Sequence, residues 1–389
     1  MKEQNQIKQG KAALKDSTGV KIDMVQLNNI TLKNIRNLDF LFQMGIVKYD
    51  LATQNQIQLA SGEEFTSLQI QNERYGIRNF SCHLGLNWKN ELAPFCSLQL
   101  IVDEPNFRNL NCRSFSEFQS TLFDVKTFLQ EFYGIYISFD DAIFHTIEIN
   151  KTFSFPWNHD VLELLINLIP KGKRMPYRPP FNVVQDTGAN TNIDVFSFVA
   201  YSKEFKKGNG IQAKFYDKSR QLQHEYDVVV DDHYLRFELT VANAKKICQI
   251  FGTNKLREFS QDIITDTFHR FIEKCFVQTY KNFCKDRQKL LKKIFTEEFK
   301  KTPRSTTWLH DAILRILDIE KKKHFHQMLQ DVQEIFEIWS KIPFVNRYQK
   351  ANYKKKLKNI CKEEFPCLLT NTDAETLRLI ELLSKKENQ

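Results

Sequence analysis

The sequence predicts an α+β fold, an antiparallel-rich sheet carrying packed helices and followed by a helical domain, and three observations lead there. Between residues 21 and 241 apolar side chains recur mainly with period two, helical stretches interrupt that pattern, and beyond residue 252 the period changes to 3.6. Strands come from "CHLGLNW", "CSLQLIV", "AIFHTIEIN", "VFSFVAYS", "IQAKFYD" and "YLRFELTV", each alternating and rich in β-branched or aromatic residues. "SFSEFQSTLFDVKTFLQEFYG" and "NHDVLELLINLIP" are the interrupting helices. "TFHRFIEKCFVQTYKNFCKDRQKLLKKIF", "WLHDAILRILDI" and "MLQDVQEIFEIWSKI" are amphipathic helices split by "KKTPRSTTW". The expected organisation is a flexible segment over 1–20, a first domain over 21–252, and a basic helical domain over 253–389.

Composition narrows the function. No apolar run in the 389 residues reaches the length of a membrane span, and "MKEQNQIKQGKAALKDSTG" carries no apolar signal segment, so a cytoplasmic protein with no membrane partner is expected. Eight scattered cysteines with no C-x-x-C pair support neither a zinc ribbon nor a disulfide framework, and buried reduced thiols are expected. The 33 phenylalanines accompany abundant Lys, Asn and Ile and read as core. Charge is uneven: the first 250 residues sum to about zero and the remainder to about +9, which points to a polyanionic partner for the second half. A glycine loop for nucleotide phosphates is absent.

Side-chain direction supplies the chemistry. On a strand through "IQAKFYDK", Ile211, Ala213 and Phe215 share one face, while Lys214, Tyr216 and Lys218 share the other. In "YLRFELTV", Arg236 and Glu238 point away from Leu235, Phe237 and Leu239. In "AIFHTIEIN", Phe144, Thr146, Glu148 and Asn150 oppose Ile143, His145, Ile147 and Ile149. Singly, a tyrosine between lysines suits an edge strand and such carboxylates suit a solvated face. Together they fit phosphoryl transfer: two carboxylates hold Mg²⁺ or Mn²⁺, cations neutralise phosphate, and a phenol is activated in their midst. The loop "PKGKRMPYRPP" adds Lys171, Lys173 and Arg174, suited to phosphate contact or to solvation.

In order along residues 21–256, "IDMVQL", "FCSLQLIVDEPNF", "AIFHTIEINKTFSF", "KFYDKSRQLQ" and "YLRFELTVANAKKICQIFG" resemble the gene II/X family of phage and plasmid rolling-circle replication initiators. The resemblance implies a ferredoxin-like nuclease palm and a site-specific endonuclease and strand transferase. Its tyrosine nicks one origin strand, forms a 5′-phosphotyrosine, and later rejoins the strand. It makes Tyr216 the nucleophile, Lys218 its cationic neighbour, Glu148 and Glu238 the ligands of Mg²⁺ or Mn²⁺, and Arg236 a structural or phosphate-contacting partner, while Lys214, on the face of Tyr216, is expected with Arg236 to contact nucleic acid. Departures are Gln221 and Gln99 where the family has carboxylates, and Thr146 where it has arginine. The partners implied are origin DNA, supercoiled or as a hairpin and single-stranded at the nick, together with a host helicase and a second copy of the chain.

Two rivals share the basic surface: a non-catalytic origin-binding initiator or repressor, and a structural or RNA-binding protein. A decoy also lies in "HFH" at His324 to His326, with "YKKKLK" starting at Tyr353. The surrounding pattern is helical, and residues two apart on a helix diverge by about 200°, so these imidazoles do not converge on one ion.

Overall fold

The computed structural model describes residues 19–50, 56–59, 62–86, 92–102, 114–158, 161–162, 164–165, 197–201, 210–226, 229–230, 232–302, 307–323, 347–364 and 372–385. Contacts divide the chain into two compact units, one of residues 1–157, 171–270 and 386–389, the other of residues 158–170 and 271–385. Composition changes near residue 252, whereas the first unit runs on to Arg270.

The first unit is α+β. Its strands are β1 (Lys21–Ile35), β2 (Val47–Lys48), β3 (Ile57–Gln58), β4 (Glu64–Phe65), β5 (Ser67–Asn72), β6 (Ile77–Leu86), β7 (Leu92–Ile101), β8 (Ile135–Ser138), β9 (Ile143–Ser154), β10 (Ser197–Tyr201), β11 (Gly210–Asp217) and β12 (Tyr234–Ala242). The main sheet runs β10-β11-β12-β9-β1-β7-β6-β5-β2, with β8 pairing the far end of β1, while β3 and β4 form a separate pair. Every pairing is antiparallel. This explains the period-two pattern, since one face is apolar and the other carries polar groups.

The apolar face is built from Val25, Leu27, Leu98, Leu100, Ile147, Ile149, Phe215, Phe237, Leu239 and Val241, all buried. Helix Phe115–Tyr133 brings Phe118, Val125 and Leu129 into the core, with the Phe118 ring 6.1 Å from Phe144. The Phe144 ring packs at a tilt on Phe259 at 4.4 Å, and Phe237 meets Phe268 of helix Gln261–Ile272 at 5.7 Å. Burying one such ring stabilises the fold by about 2–3 kcal/mol. A capping box between Ser114 and Glu117 starts helix Phe115–Tyr133, and Gly134 at φ 68 ends it. A Cβ at Gly134 would lie 2.8 Å from the Arg36 carbonyl oxygen, so the turn into β8 requires glycine twice over.

Three local expectations are corrected. Phe144 faces the core and not the side of Glu148, because the β1–β9 register slips so that His145 is an extra residue between Thr146 and Phe144. One inserted residue reverses the alternation beyond it. Lys218 does not continue the strand: β11 ends at Asp217, and Lys218 opens helix Lys218–Tyr226. Cys82 and Cys96 are joined as a disulfide, being directly opposite on β6 and β7 with Cα atoms 4.1 Å apart. Strand pairing, invisible to cysteine spacing, brings them together.

The second unit is helical in its described parts, with helices Gln278–Lys301, Thr307–Lys323, Arg347–Glu364 and Thr372–Ser384. Trp308 is fully buried and meets Phe299 and Tyr353 edge-on, each at 5.4 Å, and Phe295 at 6.2 Å. Lys354, Lys355 and Lys356 point outward from the helix that buries Tyr353. Among the described residues, no helix is long and apolar enough to cross a membrane.

Candidate active site

Four neighbouring strands, in the order β11-β12-β9-β1, aim charged groups from one face of the sheet. Register sets the arrangement: Tyr216 pairs with Arg236, Lys214 with Glu238, Glu238 with Asn150, and Thr240 with Glu148. Directly opposed residues point the same way, so antiparallel pairing alone collects these side chains.

At the centre, the Tyr216 hydroxyl donates to Glu238 Oε1 at 2.5 Å. Lys214 Nζ lies 3.7 Å from Glu238 Oε2 and 4.2 Å from the centroid of the Tyr216 ring. Arg236 is 1% exposed; its Nε donates to Thr152 Oγ1 at 2.9 Å, and its Nη1 lies 3.4 Å from Asp23 Oδ2. Thr240 Oγ1 donates to Glu148 Oε2 at 2.7 Å. Lys218 Nζ donates to Gln221 Oε1 at 3.0 Å and sits 5.8 Å from the Tyr216 ring. Lys214 is therefore the nearer ammonium.

Asp23 completes the cluster. One carboxylate oxygen from each of Asp23, Glu148 and Glu238 lies within 4.8 Å of the others. Asp23 arrives through a β-bulge, because Ile22 pairs with Ile149 and Met24 with Glu148, which leaves Asp23 as an extra residue on β1. Sequence reasoning missed it, and its trace was the broken spacing of the buried Ile22, Val25 and Leu27.

Electrostatics match this crowding. Burial, then the charges of Glu238 and Asp23, hold the Glu148 carboxyl well above the usual carboxylate range. Burial also raises Glu238, against the opposing pull of Lys214. The Tyr216 phenol is pushed well above its ordinary value by burial, with Arg236 acting against that rise. Three carboxylates in one partly buried cluster repel unless they keep a proton or share a cation, and hard oxygen ligands suit Mg²⁺ or Mn²⁺. The residues present thus fit a divalent ion.

The structure brings Tyr216, Lys214, Arg236, Glu148 and Glu238 together, with Lys218 at the margin. Lys171, Lys173, Arg174 and the imidazoles of His324 and His326 lie outside the described residues. Tyr353, beside the second lysine run, is 6% exposed and packs on Trp308.

No family model matches the chain. None of the curated proteins matches it. Among solved structures it is similar to a rolling circle replication initiator protein from Geobacillus stearothermophilus, at 14% identity and a TM-score of 0.27, over 64% of this chain and 79% of that one.

Proposed function

We propose that this chain initiates rolling-circle DNA replication of a phage or plasmid, nicking one origin strand through Tyr216 and rejoining it after synthesis. The observation that carries this reading is the Tyr216 hydroxyl bonded to a carboxylate of a three-acid cluster, with Lys214 and Arg236 beside it. A phenol needs help to attack phosphorus near neutral pH, and this surrounding offers a proton acceptor and positive charge together.

In the forward step, the Tyr216 oxygen bonds to phosphorus while the bond from phosphorus to the 3′-oxygen breaks. Glu238 takes the phenolic proton, and the departing 3′-oxygen gains one from solvent to become the primer hydroxyl. Rejoining runs the same exchange backwards, so bond energy is conserved and no nucleotide cofactor is consumed. Asp23, Glu148 and Glu238 would hold Mg²⁺ or Mn²⁺, which supplies Lewis-acid polarisation of a phosphate oxygen. Lys214 offsets phosphate charge, while the buried Arg236 ties Asp23 on β1 to Thr152 on β9 and keeps the acids converged. Lys218, held by Gln221, adds positive charge near the Tyr216 ring.

The substrate is origin DNA, strained by supercoiling or extruded as a hairpin so that a single strand reaches the site. The basic helical second half, together with Lys171, Lys173 and Arg174, would hold flanking phosphates. A host helicase and a second copy of the chain are the protein partners, in the cytoplasm of a bacterial host.

The direct test incubates the protein with single-stranded oligonucleotides of random sequence and Mn²⁺, then looks for protein-linked DNA under denaturing conditions and for a nucleotide-bearing Tyr216 peptide by mass spectrometry. A DNA-binding protein that forms no adduct, and binds equally well with metal chelated, is instead a non-catalytic initiator or repressor.

A further inference from the structure

Beyond the carboxylates, the same face of the sheet continues as a strip of neutral amides. Gln26 on β1 is directly opposite Gln99 on β7, and Gln99 is opposite Asn79 on β6. Gln69 on β5 reaches this row, its Nε2 donating to Asn79 Oδ1 at 3.1 Å. Gln26 makes no side-chain hydrogen bond among the described residues, and the partner of Gln99 is the Met24 sulfur at 3.8 Å. Gln26, Gln99 and Asn79 are half-exposed and Gln69 is exposed. Farther along β6 and β7, His83 and Phe95 face each other with ring centroids 5.5 Å apart.

The row adjoins the active site. Met24, two residues before Gln26 on β1, is opposite Glu148. Two residues along a strand are about 7 Å, and the row from β1 to β6 spans about 10 Å. The members of the row are uncharged amides, with the exposed Arg78 as the extra residue beside Asn79 on β6. Amides with unused donors and acceptors suit the edges of unpaired bases, glutamine and asparagine pairing in two-point fashion with adenine above all. An aromatic pair at the end of the strip suits stacking of a further base.

We propose that Gln26, Gln99 and Asn79 read the bases of the single DNA strand next to the scissile phosphate, with His83 and Phe95 as a stacking platform. This assignment rests on the nicking reading for its position and makes the sheet face the specificity determinant. Gln99 thereby has a role as an amide where the resemblance led to a carboxylate.

The test uses the Tyr216→Phe chain, which cannot form the adduct, to select bound sequences from a random single-stranded DNA pool. Enrichment of adenine at two or three adjacent positions is expected. The Gln26→Ala/Gln99→Ala variant should lose that preference by about tenfold per position, without a change in the salt dependence of binding. Gln99→Glu, an acceptor only, should move the preference at one position from adenine to cytosine. Matching circular dichroism and thermal midpoints verify folding. Unchanged enrichment in the double variant, or no enrichment by the parent, overturns the proposal. Base selection without any adduct in the native protein with Mn²⁺ removes the nicking reading and leaves the reading of bases standing.

Discussion

Among the tyrosines that stand near lysines in this sequence, Tyr216 and Tyr353 have opposite fates. Tyr216, in "KFYDK", lies on a strand, where the residue two positions back shares its face, so the Lys214 ammonium sits 4.2 Å from its ring. Tyr353, in "YKKKLK", lies on a helix, where the next two residues turn away, and Lys354, Lys355 and Lys356 are all exposed while the ring packs on Trp308. Both phenols are almost equally hidden, at 5% and 6% exposure, and burial alone does not separate them. What separates them is the company each periodicity brings: carboxylates and cations in one case, an indole in the other.

The largest expected effect breaks this pair apart. Tyr216→Phe should remove the covalent DNA adduct entirely while leaving noncovalent binding nearly intact, as read on denaturing gels and by fluorescence anisotropy. Tyr353→Ala should keep the adduct yet cost about 3 kcal/mol of stability in denaturant unfolding, because it empties space against Trp308. An adduct persisting in Tyr216→Phe would move the nucleophile elsewhere. Next in size is Glu238→Gln, which removes the acceptor of the phenolic proton and one metal ligand. Cleavage should fall about 10²–10⁴-fold with little change in binding, as followed by single-turnover kinetics. Unchanged nicking would take Glu238 out of the site.

The same contrast shows how much was legible beforehand. The polar face of Tyr216, Arg236 and Glu238 followed from alternation, because β11 and β12 pair without interruption from Gly210 to Asp217. Alternation failed wherever a bulge intervened. The slip at His145 sent Phe144 into the core, and the bulge at Asp23 delivered a carboxylate that a regular strand would have turned away. A single chain's pattern marks which residues are apolar but not which strand lies opposite, so neither the convergence of β1 with β9 nor the Cys82–Cys96 pair was readable. Tyr353 was named only with the His324 and His326 pair; its place on helix Arg347–Glu364 against Trp308 came from the structure.

A subtler effect comes from the charge of the cluster. Glu148 has a folded-state pKa raised from about 4.5, so the folded chain keeps a proton that the unfolded chain has released. Without metal, this group makes the fold less stable as pH climbs from about 4.5 through the raised value. Metal binding needs the acids ionised, so stabilisation by Mn²⁺ should grow over the same interval. Thermal unfolding with Mn²⁺ and with chelator, near pH 5 and near pH 8, should show a metal-induced rise that is larger at the higher pH. An equal rise at both would mean that the ion binds away from Glu148.

The smallest effect isolates one hydrogen bond. Thr240 Oγ1 donates to Glu148 Oε2 at 2.7 Å, favouring the ionised carboxylate and fixing its direction. Thr240→Val keeps the β-branched shape that suits β12 and deletes only the donor. A lost hydrogen bond of about 1 kcal/mol predicts Mn²⁺ binding weakened about fivefold in calorimetric titration, with the fold unchanged. The weakening should shrink as pH rises, because the missing donor matters most while Glu148 still competes for its proton. Affinity that does not move would mean Glu148 contributes no ligand, leaving Asp23 and Glu238 to bind the ion, and the role of β9 would then be to carry Thr152 to Arg236.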